Sequence, residues 1–176
     1  MILSRLCRSL LAGLLFVTAA FADTRDEVME CIKRYNQALI KASAERGFGD
    51  RFEDKERLRE CAGDEVAQKL FVWIASWHEN GLYMEANVSS VEMLDFVEKD
   101  DSAVVTTKER WSYTYKKETP AGTMTAHPLT RVEYEVRYRL KKSPSGWQIT
   151  DIKVLSERSQ NPQSRSPCGS CDCKKN

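Results

Sequence analysis

Three cysteines lie close together near the end of the chain, at Cys168, Cys171 and Cys173, in the segment SPCGSCDCKKN. Three thiolates are one ligand short of a structural zinc site, so a fourth would have to come from Asp172, water or another chain, whereas Cu(I) accepts few soft sulfur ligands. A thioredoxin-type redox site needs its C-x-x-C at a helix start, and no helical pattern follows here. Three alternatives stay open: disulfides without a metal, a copper or zinc site, and thiol exchange or linkage to another chain.

Cys31 and Cys61 form a second candidate pair, because two predicted helices turn back on each other between them at Gly47 to Asp50. Cys31 precedes this turn by about 15 residues and Cys61 follows it by about 11, a mismatch of roughly 6 Å along the helix axis at 1.5 Å per residue. That is near the reach of a disulfide, which would stabilise the fold by about 3 to 4 kcal/mol. Two separately buried free thiols are the alternative.

Strand alternation places the carboxylate of Glu109 on an apolar face, between Thr107 and Trp111. An isolated buried charge is too costly, so the group must be paired, protonated or facing a wet cavity. Three hypotheses follow: a general base that reaches a substrate, a structural acid held by hydrogen bonds, or a residue turned outward by a bulge.

Other catalytic candidates are few. His78 flanks the apolar stripe of the second predicted helix and His127 lies in a predicted loop before Pro128, and both are interpreted as boundary residues. No G-x-S-x-G, H-E-x-x-H, P-loop or dinucleotide-binding glycine pattern occurs in the sequence. An enzyme is therefore the weaker hypothesis.

Residues 1–22 have the pattern of an export signal: Arg5 and Arg8 precede the apolar run LLAGLLFVTAAFA, which ends in small residues at Ala20 and Ala22. The run is shorter than the roughly 20 apolar residues that a membrane span needs. We expect cleavage after Ala22 and a secreted or periplasmic chain without a membrane span; a retained anchor is the alternative. Oxidising compartments permit disulfides, so export favours pairing of the cysteines.

The balance of basic and acidic residues limits the class of partner that the chain can be expected to bind. The chain has 27 basic and 26 acidic residues, and loss of Arg5 and Arg8 would leave 25 and 26. Without a basic excess to neutralise phosphates, nucleic acid is excluded as an expected partner.

Two helical regions precede a set of strands. Thr24-Arg25-Asp26-Glu27 fits a capping box, so a first helix is predicted from there to Gly47. A second helical stretch is predicted from near Phe52, with an interruption at Gly63 and a stop at Gly81. Trp73 and Trp77 lie one turn apart on its apolar face, which predicts core residues against a sheet or, as the sharper hypothesis, a cavity wall.

From Asn87 onwards the period changes to two, which predicts adjacent antiparallel strands. Residues 88–98 form one predicted strand, and residues 117–128 are predicted to be a loop. The inward faces of the next two strands are rich in aromatic residues, namely Trp111, Tyr113, Tyr115, Tyr134 and Tyr138. Beyond Leu155 the absence of apolar residues predicts a mobile linker to the cysteine tail.

Helices followed by a meander of about four strands indicate an α+β fold, with the helices packed on one face of a curved antiparallel sheet. In this order, and in VEYEVRYRLKKSPSGWQI, the chain resembles the nuclear-transport-factor-two-like, cystatin-like cone superfamily. TKERWSYTY, YEVRYRL and GWQI are similar to the intermembrane-space domain of plastid-division proteins and their bacterial relatives. The resemblance implies a cone whose sheet curls round a pocket, on a fold that hosts both enzymes and binding modules.

The expected organisation is a signal peptide at 1–22, one domain at 23–157 and a flexible cysteine tail at 158–176. The expected function is capture of a small apolar ligand or a protein partner at the cell envelope, without a cofactor unless the tail holds copper or zinc. A homodimer stays open, as does an isomerase or dehydratase that uses Glu109. The predicted pocket-lining residues are Trp73, Trp77, Glu109, Trp111, Tyr113, Tyr134 and Tyr138.

Overall fold

The structure is a computed structural model that describes residues 3–49 and 52–159, with side chains at 24–49 and 53–159. The side chains of the predicted signal segment and the tail cysteines at 168, 171 and 173 lie outside the described residues. Within the described part of the chain, no helix is both long and apolar enough to cross a membrane.

Three helices come first along the chain. Helix α1 spans Leu3–Ala44, α2 spans Phe52–Leu58 and α3 spans Asp64–His78. The predicted helix start at Thr24 is wrong for the uncleaved chain, because the backbone is already helical on its N-terminal side. One face of α1 carries an apolar stripe, and its buried members are Val28, Cys31, Ile32, Tyr35 and Ala42.

The turn after α1 depends on glycine. Gly47 and Gly49 have φ angles of 74° and 101°, in the left-handed region that favours glycine. A Cβ atom at Gly49 would also lie 2.9 Å from Cβ of Ala75, so the turn packs directly against α3. The predicted reversal between the helices is therefore present and specified by backbone geometry.

Four strands follow in chain order and form one antiparallel sheet with the order β1-β2-β3-β4. Their bounds are Leu82–Lys99, Ser102–Thr119, Gly122–Ser143 and Gly146–Ser159. Gly122 and Gly146 open β3 and β4 at φ angles of 115° and 111°, which permits tight turns. The predicted α+β architecture is confirmed.

Three predicted strand boundaries are wrong. The predicted first strand at 88–98 begins six residues earlier, and the predicted loop at 117–128 is the far end of the β2–β3 hairpin, where Thr119 pairs with Gly122. The predicted linker after Leu155 continues as β4, with Ser159 paired to Val132. Most side chains in the last two of these stretches are exposed, so no alternating apolar pattern marks them.

The core lies between the helices and one face of the sheet, since α1 and α3 both pack on β1 and β4. The segment before α3 is tied to the sheet by two backbone hydrogen bonds, from Gly63 N to Ile149 O at 2.8 Å and from Ile149 N to Cys61 O at 2.9 Å. These bonds fix the position of Cys61 relative to β4 and α1.

Candidate functional site

Strand alternation builds an aromatic wall on the inner face of the sheet. Glu109, Trp111, Tyr113 and Tyr115 follow one another at every second position of β2, and Glu109 lies directly across from Tyr134 on β3. Successive inward side chains on paired strands lie side by side, so the rings form a continuous surface.

This wall encloses an open cavity of about 240 Å³ beneath α1 and α3. Its fourteen lining residues are Tyr35, Asn36, Leu39, Trp73, Met84, Glu109, Trp111, Tyr113, Tyr115, Tyr134, Val136, Tyr138, Ile152 and Val154. Six of the seven predicted pocket residues are among them. The exception is Trp77.

Trp77 does not line the cavity but contacts two rings that do. Its ring centroid is 4.8 Å from that of Trp73 and 4.5 Å from that of Tyr115. Trp73 itself is 39% exposed, so it is not the covered core residue that helical spacing alone predicted. Its ring lies at the cavity, where no packed side chain covers it fully.

Glu109 is the only acidic residue among the described residues that line the cavity, and it is 1% exposed. Oε1 accepts hydrogen bonds from Thr107 Oγ1 at 2.8 Å and Tyr138 OH at 2.7 Å. Oε2 accepts from Trp111 Nε1 at 2.8 Å and Asn36 Nδ2 at 3.2 Å. Of the three hypotheses for Glu109, the outward bulge is therefore not present, and the structure has the hydrogen-bonded arrangement.

Four donors match the ionised form of this carboxyl group, because a carboxylate only accepts and offers about four lone-pair positions. The neighbouring phenols respond to its charge. Burial, and then the negative charge of Glu109, raise the pKa of Tyr138 well above its usual value, and the same two causes raise the pKa of Tyr35. Both phenol groups therefore stay protonated and uncharged at neutral pH.

The other phenols of the cavity are also held neutral. Burial is the larger cause that raises the pKa of Tyr115 to about 12, and the second cause is Tyr113. Burial and a hydrogen bond with Tyr113 raise the pKa of Tyr134. None of these groups is poised to exchange a proton near neutral pH.

Both histidines lie outside the lining of the cavity. The ring of His78 packs its edge against Phe48, and its Nε2 lies 3.1 Å from Ser43 O. His127 is on β3 rather than in a loop, with its ring 5.6 Å from that of Tyr115. Glu109 therefore has no histidine partner among the described residues that line the cavity.

Cys31 and Cys61 are both buried free thiols in this structure, so the predicted disulfide is not formed here. The two residues are nonetheless adjacent. Cys31 Sγ donates to Trp147 O at 3.1 Å and to Cys61 O at 3.5 Å. A hydrogen bond with the Cys61 side chain, followed by burial, raises the pKa of Cys31.

Metal ligation was predicted only for the tail, which lies outside the described residues. Within the residues that are described, no group of three or more His, Cys, Asp or Glu side chains could hold a metal ion.

Asn36 is the polar residue of the site that sequence reasoning missed. It is 1% exposed and donates to Glu109 from α1. Its position carries a detectable pattern, since it lies four residues after Ile32 and three before Leu39 on the apolar stripe. A polar residue at such a position predicts a buried hydrogen-bond partner, which here is the carboxylate on the facing strand.

No protein-family model and no curated protein matches the chain. Among solved structures, the chain is similar to the intermembrane space region of the chloroplast protein ARC6, with a TM-score of 0.59 and 18% identity over 76% of this chain and 96% of that one. This likeness shows the fold, and the predicted resemblance is confirmed at that level.

Two further similarities are weaker. A periplasmic fragment of TraM matches with a TM-score of 0.47 and 14% identity, over 74% of this chain and 96% of that one. An NTF2-like protein with a cystatin-like fold from Novosphingobium aromaticivorans matches with a TM-score of 0.42 and 14% identity, over 80% and 86%.

Proposed function

We propose that this chain is an exported, non-catalytic binding domain that captures a small apolar group in its aromatic cavity. The group belongs either to a free ligand or to a side chain of a partner protein. One observation carries the proposal: an open cavity of about 240 Å³ is walled by aromatic rings, and the acidic group that lines it, Glu109, already has its acceptor positions filled.

The saturation of Glu109 is the argument against catalysis. A general base needs a free lone pair within hydrogen-bond reach of the proton that it removes. Each oxygen of Glu109 instead accepts two hydrogen bonds, from groups on α1, β2 and β3. Removing a substrate proton would require one of these bonds to break, which favours a structural role for Glu109 over an isomerase or dehydratase mechanism.

The size of the cavity limits what it can capture. Sites for drug-sized ligands measure roughly 300 to 1,000 Å³, and this cavity is smaller, at about 240 Å³. The cavity has room for an aromatic ring or a branched aliphatic group. Trp73 and Val154 are both exposed as well as part of the lining, so such a group would enter between α3 and β4.

The proposal that the chain is exported rests on the predicted signal at residues 1–22. That signal supports a secreted or periplasmic location after cleavage, and therefore a partner or ligand found outside the cytoplasm. The near balance of basic and acidic residues supports neither nucleic acid nor an anionic membrane surface as partner.

Two neighbouring residues of α3 provide a matched test. Trp73 lines the cavity, whereas Val72 is 53% exposed and does not line it. Indole is titrated into isotopically labelled protein, and binding is followed by amide chemical shifts. We expect Trp73→Ala to weaken binding at least fivefold and Val72→Ala to leave it unchanged. Equal binding by folded Trp73→Ala and the unaltered protein contradicts the proposal.

The tail cysteines carry a separate proposal, disulfide formation or a soft metal site at Cys168, Cys171 and Cys173. Mass spectrometry of the native protein, with and without a thiol-blocking reagent, separates the two. Bound copper or zinc that blocking removes supports the metal site, and a mass two hydrogens lower for each bond supports disulfides.

A further inference from the structure

We infer that the aromatic cavity selects a small organic cation of the quaternary ammonium class over a neutral apolar group of the same shape. This inference rests on the proposed function and specifies the chemistry of its ligand. Three features of the cavity carry it: a buried negative charge without a counter-ion, ring faces without a cation, and the lack of a free hydrogen-bond acceptor on the carboxylate.

The first feature is the charge of Glu109. All four of its hydrogen-bond donors are neutral groups, an amide, an indole and two hydroxyls. Among the described residues Glu109 forms no ion pair, and no lysine, arginine or histidine lines the cavity. A carboxylate at 1% exposure is weakly screened by solvent, so its negative potential extends into the cavity beside it.

The second feature is the set of uncovered aromatic rings. The face of an aromatic ring is its negative side, and tryptophan attracts cations most strongly. Elsewhere in the described residues four rings already have a cation over them, those of Phe96, Tyr83, Phe48 and Trp147. None of these four lines the cavity, and no ring that lines it has a cation over it from the residues that the structure describes.

The third feature decides which kind of cation fits. A primary ammonium such as a lysine head has three N–H donors that need acceptors when they leave water. The carboxylate oxygens are already occupied by four donors, so a primary ammonium would find no free acceptor on Glu109 for its N–H groups. A quaternary ammonium has no N–H group, and its methyl groups suit apolar ring walls.

Cavity size agrees with this class. About 240 Å³ accommodates a trimethylammonium group with a short chain and excludes large cofactors. The rings of Tyr113 and Tyr115, with centroids 5.6 Å apart, would form one wall and Trp73 the facing wall at the entrance.

The test compares choline with 3,3-dimethylbutan-1-ol, which has the same shape but a neutral carbon in place of nitrogen. Both are titrated into the purified full chain, and affinity is measured from amide chemical shifts. We expect choline to bind at least tenfold more tightly than the alcohol, and ethanolamine, a primary ammonium, to bind more weakly than choline.

Two variants separate charge from shape. Trp73→Leu retains apolar surface and removes a ring, so it should weaken choline at least threefold and change the alcohol little. Glu109→Gln should reduce the preference for choline over the alcohol. If the Glu109→Gln variant does not fold, Trp73→Leu alone provides the test. Phosphatidylcholine vesicles, compared with phosphatidylglycerol vesicles, distinguish a lipid headgroup from a free solute as the source of the cation.

The outcomes are distinct. If the alcohol binds and choline binds no more tightly, the inference is overturned and the proposed function stands. If neither binds, the inference is overturned, and the indole titration of Trp73→Ala and Val72→Ala decides the proposed function independently.

Discussion

The indole N–H of Trp111 donates to Oε2 of Glu109 over 2.8 Å, between two residues on the same face of β2 and two positions apart. Adjacent inward side chains of one strand thus satisfy each other, with Asn36 of α1 and Tyr138 of β3 completing the set. This pairing joins the helical layer to the sheet through one carboxylate, which makes Glu109 a structural centre of the cavity.

A first prediction concerns this hydrogen bond. Trp111→Phe keeps a ring but removes the indole N–H that donates to a buried carboxylate. Trp147→Phe likewise removes an indole N–H, but its acceptor is Glu27, whose side chain is 46% exposed. Because bonds to buried charged groups stabilise by about 1.5 to 3 kcal/mol, we expect Trp111→Phe to lower the free energy of unfolding by about 1 kcal/mol more than Trp147→Phe. Urea denaturation measures both, and an equal or reversed order contradicts the prediction.

A second prediction uses two tyrosines whose rings meet edge to face with centroids 6.5 Å apart. Tyr138 donates to Glu109 over 2.7 Å, whereas the structure shows no hydrogen bond from the Tyr35 hydroxyl among the described residues. Tyr138→Phe should therefore cost about 1.5 to 3 kcal/mol of stability and Tyr35→Phe less than about 0.5 kcal/mol. Similar values for the two variants would mean that the hydroxyl of Tyr138 does not hold the carboxylate.

Much of the cavity was predictable because two strands alternate cleanly. Burial of one face forces apolar and aromatic residues to every second position, so Trp111, Tyr113, Tyr134 and Tyr138 could be assigned to one wall without coordinates. The order of helices before strands then indicated which layer would cover that wall.

Other features could not be predicted, for identifiable physical reasons. The far end of the β2–β3 hairpin and the last residues of β4 are held by backbone pairing while many of their side chains remain exposed, so their sequence shows no period. Trp77 was placed in the lining because helical spacing defines a face only within about one residue, and the lining ends between Trp73 and Trp77.

A third prediction concerns the thiols of Cys31 and Cys61, which are free here but adjacent. We expect protein exported to an oxidising compartment to contain a bond between them. The two thiols would lose two protons and two electrons to a disulfide of an oxidoreductase, which is reduced to two thiols. Closing a separation of 30 residues should stabilise the fold by about 3 to 4 kcal/mol.

Peptide mapping after thiol blocking in denaturant measures this bond. Neither cysteine should react before reduction, and both should react after it. The double variant Cys31→Ala with Cys61→Ala controls for lost packing, since it should not respond to reductant. Full blocking of both thiols in protein recovered from an oxidising compartment rules the bond out.

A fourth prediction follows from the buried phenols and concerns alkaline stability. Burial raises the pKa of Tyr35 and Tyr138 above the ordinary value near 10. Above that value the unfolded chain releases these protons while the folded chain retains them. The unfolded state then binds fewer protons, so the free energy of unfolding falls as pH rises, by up to about 1.4 kcal/mol per pH unit for each tyrosine.

Tyr35→Phe isolates this effect, because it removes a titrating group without removing a hydrogen bond. Urea denaturation at pH 8 to 11.5 should show equal stability of the variant and the unaltered chain at pH 8, and a shallower loss for the variant above pH 10. Tyr83 is the control: hydrogen bonds with Thr123 and Arg46 lower its pKa, so it contributes with the opposite sign. In Tyr83→Phe the free energy of unfolding should fall with pH at least as steeply as in the unaltered chain. Parallel curves of stability against pH for all three proteins would show that Tyr35 is not buried as the structure has it.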